Sequence, residues 1–147
     1  MHISIHESRF EPWKLVAEYQ SQHITPGKYG ATAVFVGSMR DMNEGDQVQS
    51  MTLEHYPGMT EKYLEKISQE ARERWDILDT LIAHRVGDVL PDDSIVVVAV
   101  WASHRAHAYE ANRYLMEQLK SNAPFWKKET LLSNQQRWVE KNTSGEV

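Results

Sequence analysis

The chain has 147 residues, 41% of them apolar and 25% charged, a size and balance that suit one domain spanning residues 1–147 with a core of its own. Its formal charge of −5 argues against a general affinity for nucleic acid or an anionic membrane, so any anion site must be a local basic cluster on an acidic body. Cysteine is absent, which excludes disulfides, thiolate nucleophiles and cysteine-held metals; any sulfur handled here must arrive on another molecule.

Ile3 to Phe10 reads as a short edge strand. Pro12 stands where a helix starts, and Trp13, Val16, Ala17 and Gln20 continue at helical spacing. After the Pro26-Gly27 turn, Ala31 to Val36 is strongly strand-like. Gly37-Ser38-Met39-Arg40-Asp41 leaves that strand for a polar loop, read as mobile, that reaches Asp46. Val48 to His55 alternates and is expected to pair with the strand before it. Thr60 is the expected cap of a second long helix, with Glu61 in its first turn and a buried stripe of Tyr63, Leu64, Ile67, Ala71 and Trp75.

Thr80 to Val86 is the next strand, ended by Gly87-Asp88, and the Leu90 to Asp93 turn leads into a buried-looking strand from Ile95 to Trp101. A third helix follows with Ser103 as its expected N-cap. Its apolar face is Ala108, Ala111, Leu115 and Leu119, widened by Tyr109 and Met116. It should stop near Ser121-Asn122, because the residue before Pro124 avoids helical geometry. Phe125-Trp126 is read as an aromatic anchor for a loop carrying Lys127 and Lys128. Thr130 to Gln136 is a loop or ribbon, Arg137-Trp138-Val139 a last short strand, and the tail from Lys141 is expected to fray. The mixture predicts an α+β fold with a mainly antiparallel sheet and long packing helices. No apolar stretch approaches membrane-spanning length and the N-terminus lacks a secretory pattern, so a cytoplasmic protein is expected.

Cations gather at the two ends of the third helix. His104-Arg105 stands at its start, where free N–H groups favour anions; a cationic pair there opposes the helix dipole, a local conflict that fits either a functional site or a surface pair bonded to acidic neighbours. Lys120, Lys127 and Lys128 cluster beyond the other end. From Arg105 to Lys120 the axis rises roughly 22 Å, too far for one chain's side chains to bridge. If both ends serve one pocket, either another loop folds back or a second copy of the chain contributes. Arg40, just after a strand and a glycine, is a further candidate for an anion. His104 and His107 are three apart, but no dense ligand spacing accompanies them, so no metal site is expected; His55 and His84 read as structural histidines. Neither a phosphate-binding glycine loop nor a nucleophile elbow occurs.

Several motifs stand in order: Phe35-Val36-Gly37-x-x-Arg40, Leu53 through Thr60 (Leu-Glu-His-Tyr-Pro-Gly-Met-Thr), His84-Arg85-Val86-Gly87, Ser103-His104-Arg105, and Lys120 with Ala123 through Glu129. Over about Ala31 to Val139 the chain resembles the large, catalytic subunit of molybdopterin synthase. The resemblance implies an α/β-hammerhead-like fold and a central homodimer. It further implies that each copy docks a small ubiquitin-like partner, completing a heterotetramer, and that the partner's C-terminal Gly-Gly tail carries a thiocarboxylate. The implied reaction converts cyclic pyranopterin monophosphate (precursor Z) to molybdopterin by installing two sulfurs as a dithiolene, with no cofactor. The implied catalytic residues are Lys120 and Lys127; on chemical grounds Lys120 is expected to move protons and activate the thiocarboxylate and Lys127 to stabilise charge at the reacting centre. The expected substrate-binding set is Ser38, Met39, Arg40, His104, Arg105, Lys120, Lys127, Lys128 and Glu129, with the His-Arg pair reaching in from the opposite subunit. Relatives often carry a glycine shortly before Arg-Trp-Val, where this chain has Ser133-Asn134-Gln135-Gln136; a further basic position corresponds to Lys141. A second reading of the same basic cluster is a non-catalytic dimeric module that binds an anion or a nucleotide.

Overall fold

The computed structural model describes residues 1–139 and Gly145; Lys141 and, Gly145 apart, the rest of the tail expected to fray lie outside the described residues. The elements run β1 (His2–His6), α1 (Pro12–His23), β2 (Ala31–Ser38), β3 (Met42–Asn43), β4 (Asp46–His55), α2 (Met59–Arg74), β5 (Ile77–Arg85), β6 (Gly87–Val89), β7 (Ser94–Ala102), α3 (Arg105–Asn122), β8 (Phe125–Leu131) and β9 (Gln136–Trp138). No described helix is long and apolar enough to cross a membrane.

The most apolar strand organises the first sheet. β7 is buried along almost its whole length because both of its faces are covered, which is why its sequence is a continuous run of Val, Ala, Ile and Trp. The strand order is β1-β5-β7-β2, antiparallel except for the β1–β5 pair. On one face α1 packs with Leu81, Ala83, Val97, Ala99 and Trp101. On the other, α2 and α3 meet Ile82, Val96, Val98 and Val100. The second sheet runs β3-β4-β8-β9, with β6 also paired to β4, and joins the larger core through Val48, Met51, Leu53 and Val89. The α+β class with mainly antiparallel strands is therefore as the sequence predicts.

Local details depart from expectation. β1 is an edge strand but ends at His6. On α1 the buried side is Pro12 and Val16 with Leu15 and Tyr19, while Trp13 is 64% exposed and Ala17 also faces out. β4 does not pair with β2; β2 pairs with β7 across eight positions, and β4 pairs with β3, β6 and β8. The reason lies at Met39, whose N–H donates to Asp93 O (2.9 Å) and whose carbonyl accepts from Asp92 N (3.0 Å), turning the chain off the first sheet. The polar loop beyond it closes as a hairpin, β3 against the start of β4.

Capping also differs. α2 begins after Gly58, whose φ of +86° suits only glycine and whose N–H donates to the Glu61 carboxylate at 3.0 Å. Thr60 lies inside the helix, buried, donating its hydroxyl to Tyr56 O at 2.8 Å. α3 takes His104, in extended backbone, as its N-cap rather than Ser103, since the Ala108 N–H closes on the His104 carbonyl. Along α3, Ala108, Ala111, Leu115, Met116 and Leu119 are buried as expected, but Tyr109 is 68% exposed. Asn112 takes the buried place, donating through Nδ2 to Ala33 O (3.0 Å) and Val98 O (2.9 Å) and so pinning the helix to two strands of the first sheet. The helix ends at Asn122, as Pro124 requires. Gly87 does not simply end β5: with φ +86° it starts β6, which crosses to the second sheet.

Candidate active site

The segment after α3 is a strand and not a loop. β8 pairs with β4 from Phe125 to Leu131, so its side chains alternate between two faces. Lys127 and Glu129 face inward. Trp126 and Lys128 face out, Trp126 edge-on to Tyr56 and the Lys128 ammonium 5.4 Å from the Trp138 ring centre. The expected aromatic anchor is thereby split: only Phe125 turns inward, stacked on His84.

A cavity of about 330 Å³ opens where the two sheets and the end of α3 converge. Ser38, Met39 and Arg40 line it from the exit of β2, Lys120 from the last turn of α3, and Lys127 and Glu129 from β8. Met42 and Asn43 from the β3 hairpin, with Met51, Ile95 and Val139, complete its wall. Six of the nine sequence-predicted substrate-binding residues therefore meet at one site. Lys128 is not among the lining residues. His104 and Arg105 are exposed at the opposite end of α3 and do not reach the cavity within this chain.

Two cations share this space under different conditions. Burial is the largest cause that depresses the Lys127 ammonium, followed by the charge of Lys120 and a side-chain hydrogen bond with it; Glu129 opposes the shift, and the result is a pKa lowered to about 7. Two ammonium groups have only donors, so a hydrogen bond between them requires one neutral amine. The lowered pKa makes Lys127 the group that gives up its proton first, and it can then accept from Lys120. Lys127 thus exchanges its proton near neutral pH beside a second lysine, a pairing suited to moving a proton next to a developing negative charge.

Glu129 is 5% exposed and already committed. Its carboxylate accepts from Asn43 Nδ2 (3.1 and 3.0 Å) and from Arg137 Nε (3.0 Å), while Arg137 also donates to Asp46 Oδ2 and to Asn43 O, both at 2.9 Å. This network ties the β3 hairpin to β8 and β9, and so holds one wall of the cavity. Glu129→Ala is expected to lower stability by about 2 kcal/mol in urea denaturation, because Asn43 loses a partly buried acceptor, with Glu129→Gln retaining part of the loss. Equal stability of Ala and wild type would show that the network does not hold the hairpin.

Two of the histidines make hydrogen bonds within the chain. His107 Nδ1 accepts the Asp76 N–H at 2.7 Å, and His55 Nδ1 lies 3.1 Å from Thr60 Oγ1. Among the described residues no group of three or more His, Asp or Glu is placed to hold a metal. Asn43, Arg137 and the inward direction of Lys127 were not found from sequence. The alternation Phe125-x-Lys127-x-Glu129 was the available signal, masked by the Lys-Lys pair next to Pro124.

Known proteins share this sequence and shape. The family model described as MoaE protein matches residues 6–122. The molybdopterin synthase catalytic subunit of Ralstonia nicotianae is 45% identical over 144 residues, covering 98% of this chain and 80% of that one. Among solved structures, the molybdopterin biosynthesis MoaE protein of Burkholderia ambifaria superposes with a TM-score of 0.79 at 46% identity, over 98% of this chain and 92% of that chain. The molybdopterin synthase of Staphylococcus aureus gives a TM-score of 0.82 at 32% identity, over 92% and 94% of the two chains.

Proposed function

The chain belongs to the MoaE protein family, and on that premise we propose that it is the catalytic subunit of a molybdopterin synthase. It converts cyclic pyranopterin monophosphate to molybdopterin, taking both dithiolene sulfurs from the C-terminal thiocarboxylate of a small ubiquitin-like partner. The observation that carries the reading is the single cavity in which Arg40, Lys120 and the near-neutral Lys127 converge. A phosphate is held by charge-assisted hydrogen bonds from Arg40 and Lys120. An external sulfur donor is required because the chain has no cysteine.

In this assignment the lysine roles suggested by the sequence are exchanged. Lys127, whose amine loses its proton near pH 7, serves as the proton acceptor, while the Lys120 ammonium offsets charge on the thiocarboxylate and on the substrate. Ser38 and Met39 shape the wall beside Arg40. Glu129 is a positioning residue for Asn43, Arg137 and Lys127. Lys128, on the other face of β8, has no part in the pocket. His104 and Arg105 serve the pocket of a second copy of the chain, with two copies forming the core of a heterotetramer. The proposal places the enzyme in the cytoplasm, a reducing compartment suited to a chain without cysteine.

Incubation with the thiocarboxylated partner and the cyclic pterin is expected to yield the dithiolene product. Arg40→Ala should raise KM for the pterin on the order of 10- to 100-fold with a smaller fall in kcat, the mark of a lost phosphate contact. Tight pterin binding with no product at any partner concentration would overturn the enzyme reading and leave a binding module.

A further inference from the structure

His84 stands behind the lysine pair, and no step above uses it. β5 alternates, so Leu81 and Ala83 face α1 whereas Ile82 and His84 face the side of α3. The ring is 3% exposed and lies flat on Phe125, with centres 3.8 Å apart and planes 14° from parallel. Its Nδ1 is 2.7 Å from the Arg85 carbonyl oxygen. A carbonyl only accepts, so Nδ1 carries the proton, and in the neutral ring Nε2 is left as a bare acceptor. The ring also borders a second, small cavity of about 40 Å³, lined in addition by Leu119, Lys120, Phe125 and Lys127. Such a space admits about one water.

The ring stays neutral at working pH. Burial is the main cause and the charges of Lys120, Lys127 and His55 add to it, against the Arg85 hydrogen bond, so its pKa falls to about 3. The charged or titratable groups facing this region are Lys120 from α3, Lys127 and Glu129 from β8 and His55 from β4, while Arg85 offers the ring only its backbone carbonyl. A buried acceptor is normally satisfied, and the donors across the small cavity are the two lysines.

We propose that His84 is a positioning residue for the sulfur-transfer site: its Nε2 accepts a hydrogen bond from the Lys120–Lys127 pair, directly or through one water, and so fixes where the pair's proton sits. The proposal rests on the synthase reading for its catalytic meaning, but its structural content does not. An acceptor aimed at a lysine favours the charged form. Removing that acceptor must therefore lower the pair's titration midpoint, whereas a packing defect that admits water would raise it.

The test is a lysine titration by NMR on the full chain with carbon-13-labelled lysine, comparing wild type, His84→Asn and His84→Gln. Asn keeps a donor for the Arg85 carbonyl but lacks the far acceptor; Gln places an amide oxygen near the position of Nε2. We expect Asn to lower the midpoint near neutrality by roughly half to one unit and Gln to restore most of it. A midpoint in the Asn variant that is unchanged or raised overturns the proposal. The wild-type imidazole nitrogen spectrum decides the matter even if the variants do not fold. It should show Nδ1 protonated and Nε2 bare, with the Nε2 signal moving at the lysine midpoint; a ring protonated at Nε2, or an Nε2 signal indifferent to that midpoint, counts against it. In turnover, Asn should lose kcat on the order of tenfold with KM retained. Absence of dithiolene from the wild-type enzyme would sink the synthase reading and leave the NMR answer standing.

Discussion

Lys127→Met is expected to cripple dithiolene formation and at the same time to make the folded chain more stable. The two effects share one cause. Folding takes the Lys127 amine from its ordinary pKa of 10.5 to about 7, chiefly by burial and then by the neighbouring Lys120. Between those values the unfolded chain holds a proton on Lys127 that the folded chain has released, so stability rises with pH across that window. Below about pH 7 the full penalty of a buried, crowded ammonium is present. Methionine has a similar unbranched shape and no charge. At about pH 6 it should add about 2 kcal/mol, less than half of what the whole shift would convert to, because the side chain borders an open, screened cavity. Urea denaturation at about pH 6 and about pH 9 reads this directly, and the advantage should narrow at the higher pH. Turnover should fall on the order of 10³-fold, and in the wild type it should climb as pH passes about 7, where the amine becomes free to take a proton. Equal stability of the variant and the wild type at the lower pH would mean that the amine is not held neutral by its surroundings.

Mixing two dead variants is expected to restore part of the activity. Lys120→Ala removes a cavity lysine, while His104→Ala removes a group at the far end of α3, roughly 24 Å along the axis. Within this chain His104 and Arg105 do not line the cavity. If each pocket is completed by the other copy, a hybrid of the two variants holds one intact site and one doubly damaged site. Random reassociation makes about half of the pairs hybrids, so about a quarter of the wild-type rate should return. Native mass spectrometry confirms that hybrids form. Hybrids without recovered activity would confine the active site to a single copy and leave the His-Arg pair without a catalytic place.

How far the chain could be read beforehand varies by element. α2 and α3 were legible because their apolar stripes recur every three to four residues, and Pro124 marked the stop. β7 was legible as a buried run. The caps were each misplaced by a residue or two: Thr60 and Ser103 have the right chemistry, but Gly58 and His104 hold the right backbone. The partner of β4 was not legible, since alternation tells which face of a strand is buried and not which strand lies beside it. β8 was missed because two adjacent lysines after Pro124 look like a loop until pairing with β4 sends them to opposite faces.

The sequence by itself determined the family, the long helices, the need for an outside sulfur donor, and the distance that separates His104-Arg105 from Lys120. These follow from residue identities and from periodicities set by near neighbours along the chain. Only the tertiary structure decided that Lys127 and not Lys128 enters the pocket, that Glu129 is spent on Asn43 and Arg137, and that a histidine from β5 backs the lysine pair. Desolvation and charge crowding depend on groups brought together from α3, β5 and β8, and no local pattern carries that information.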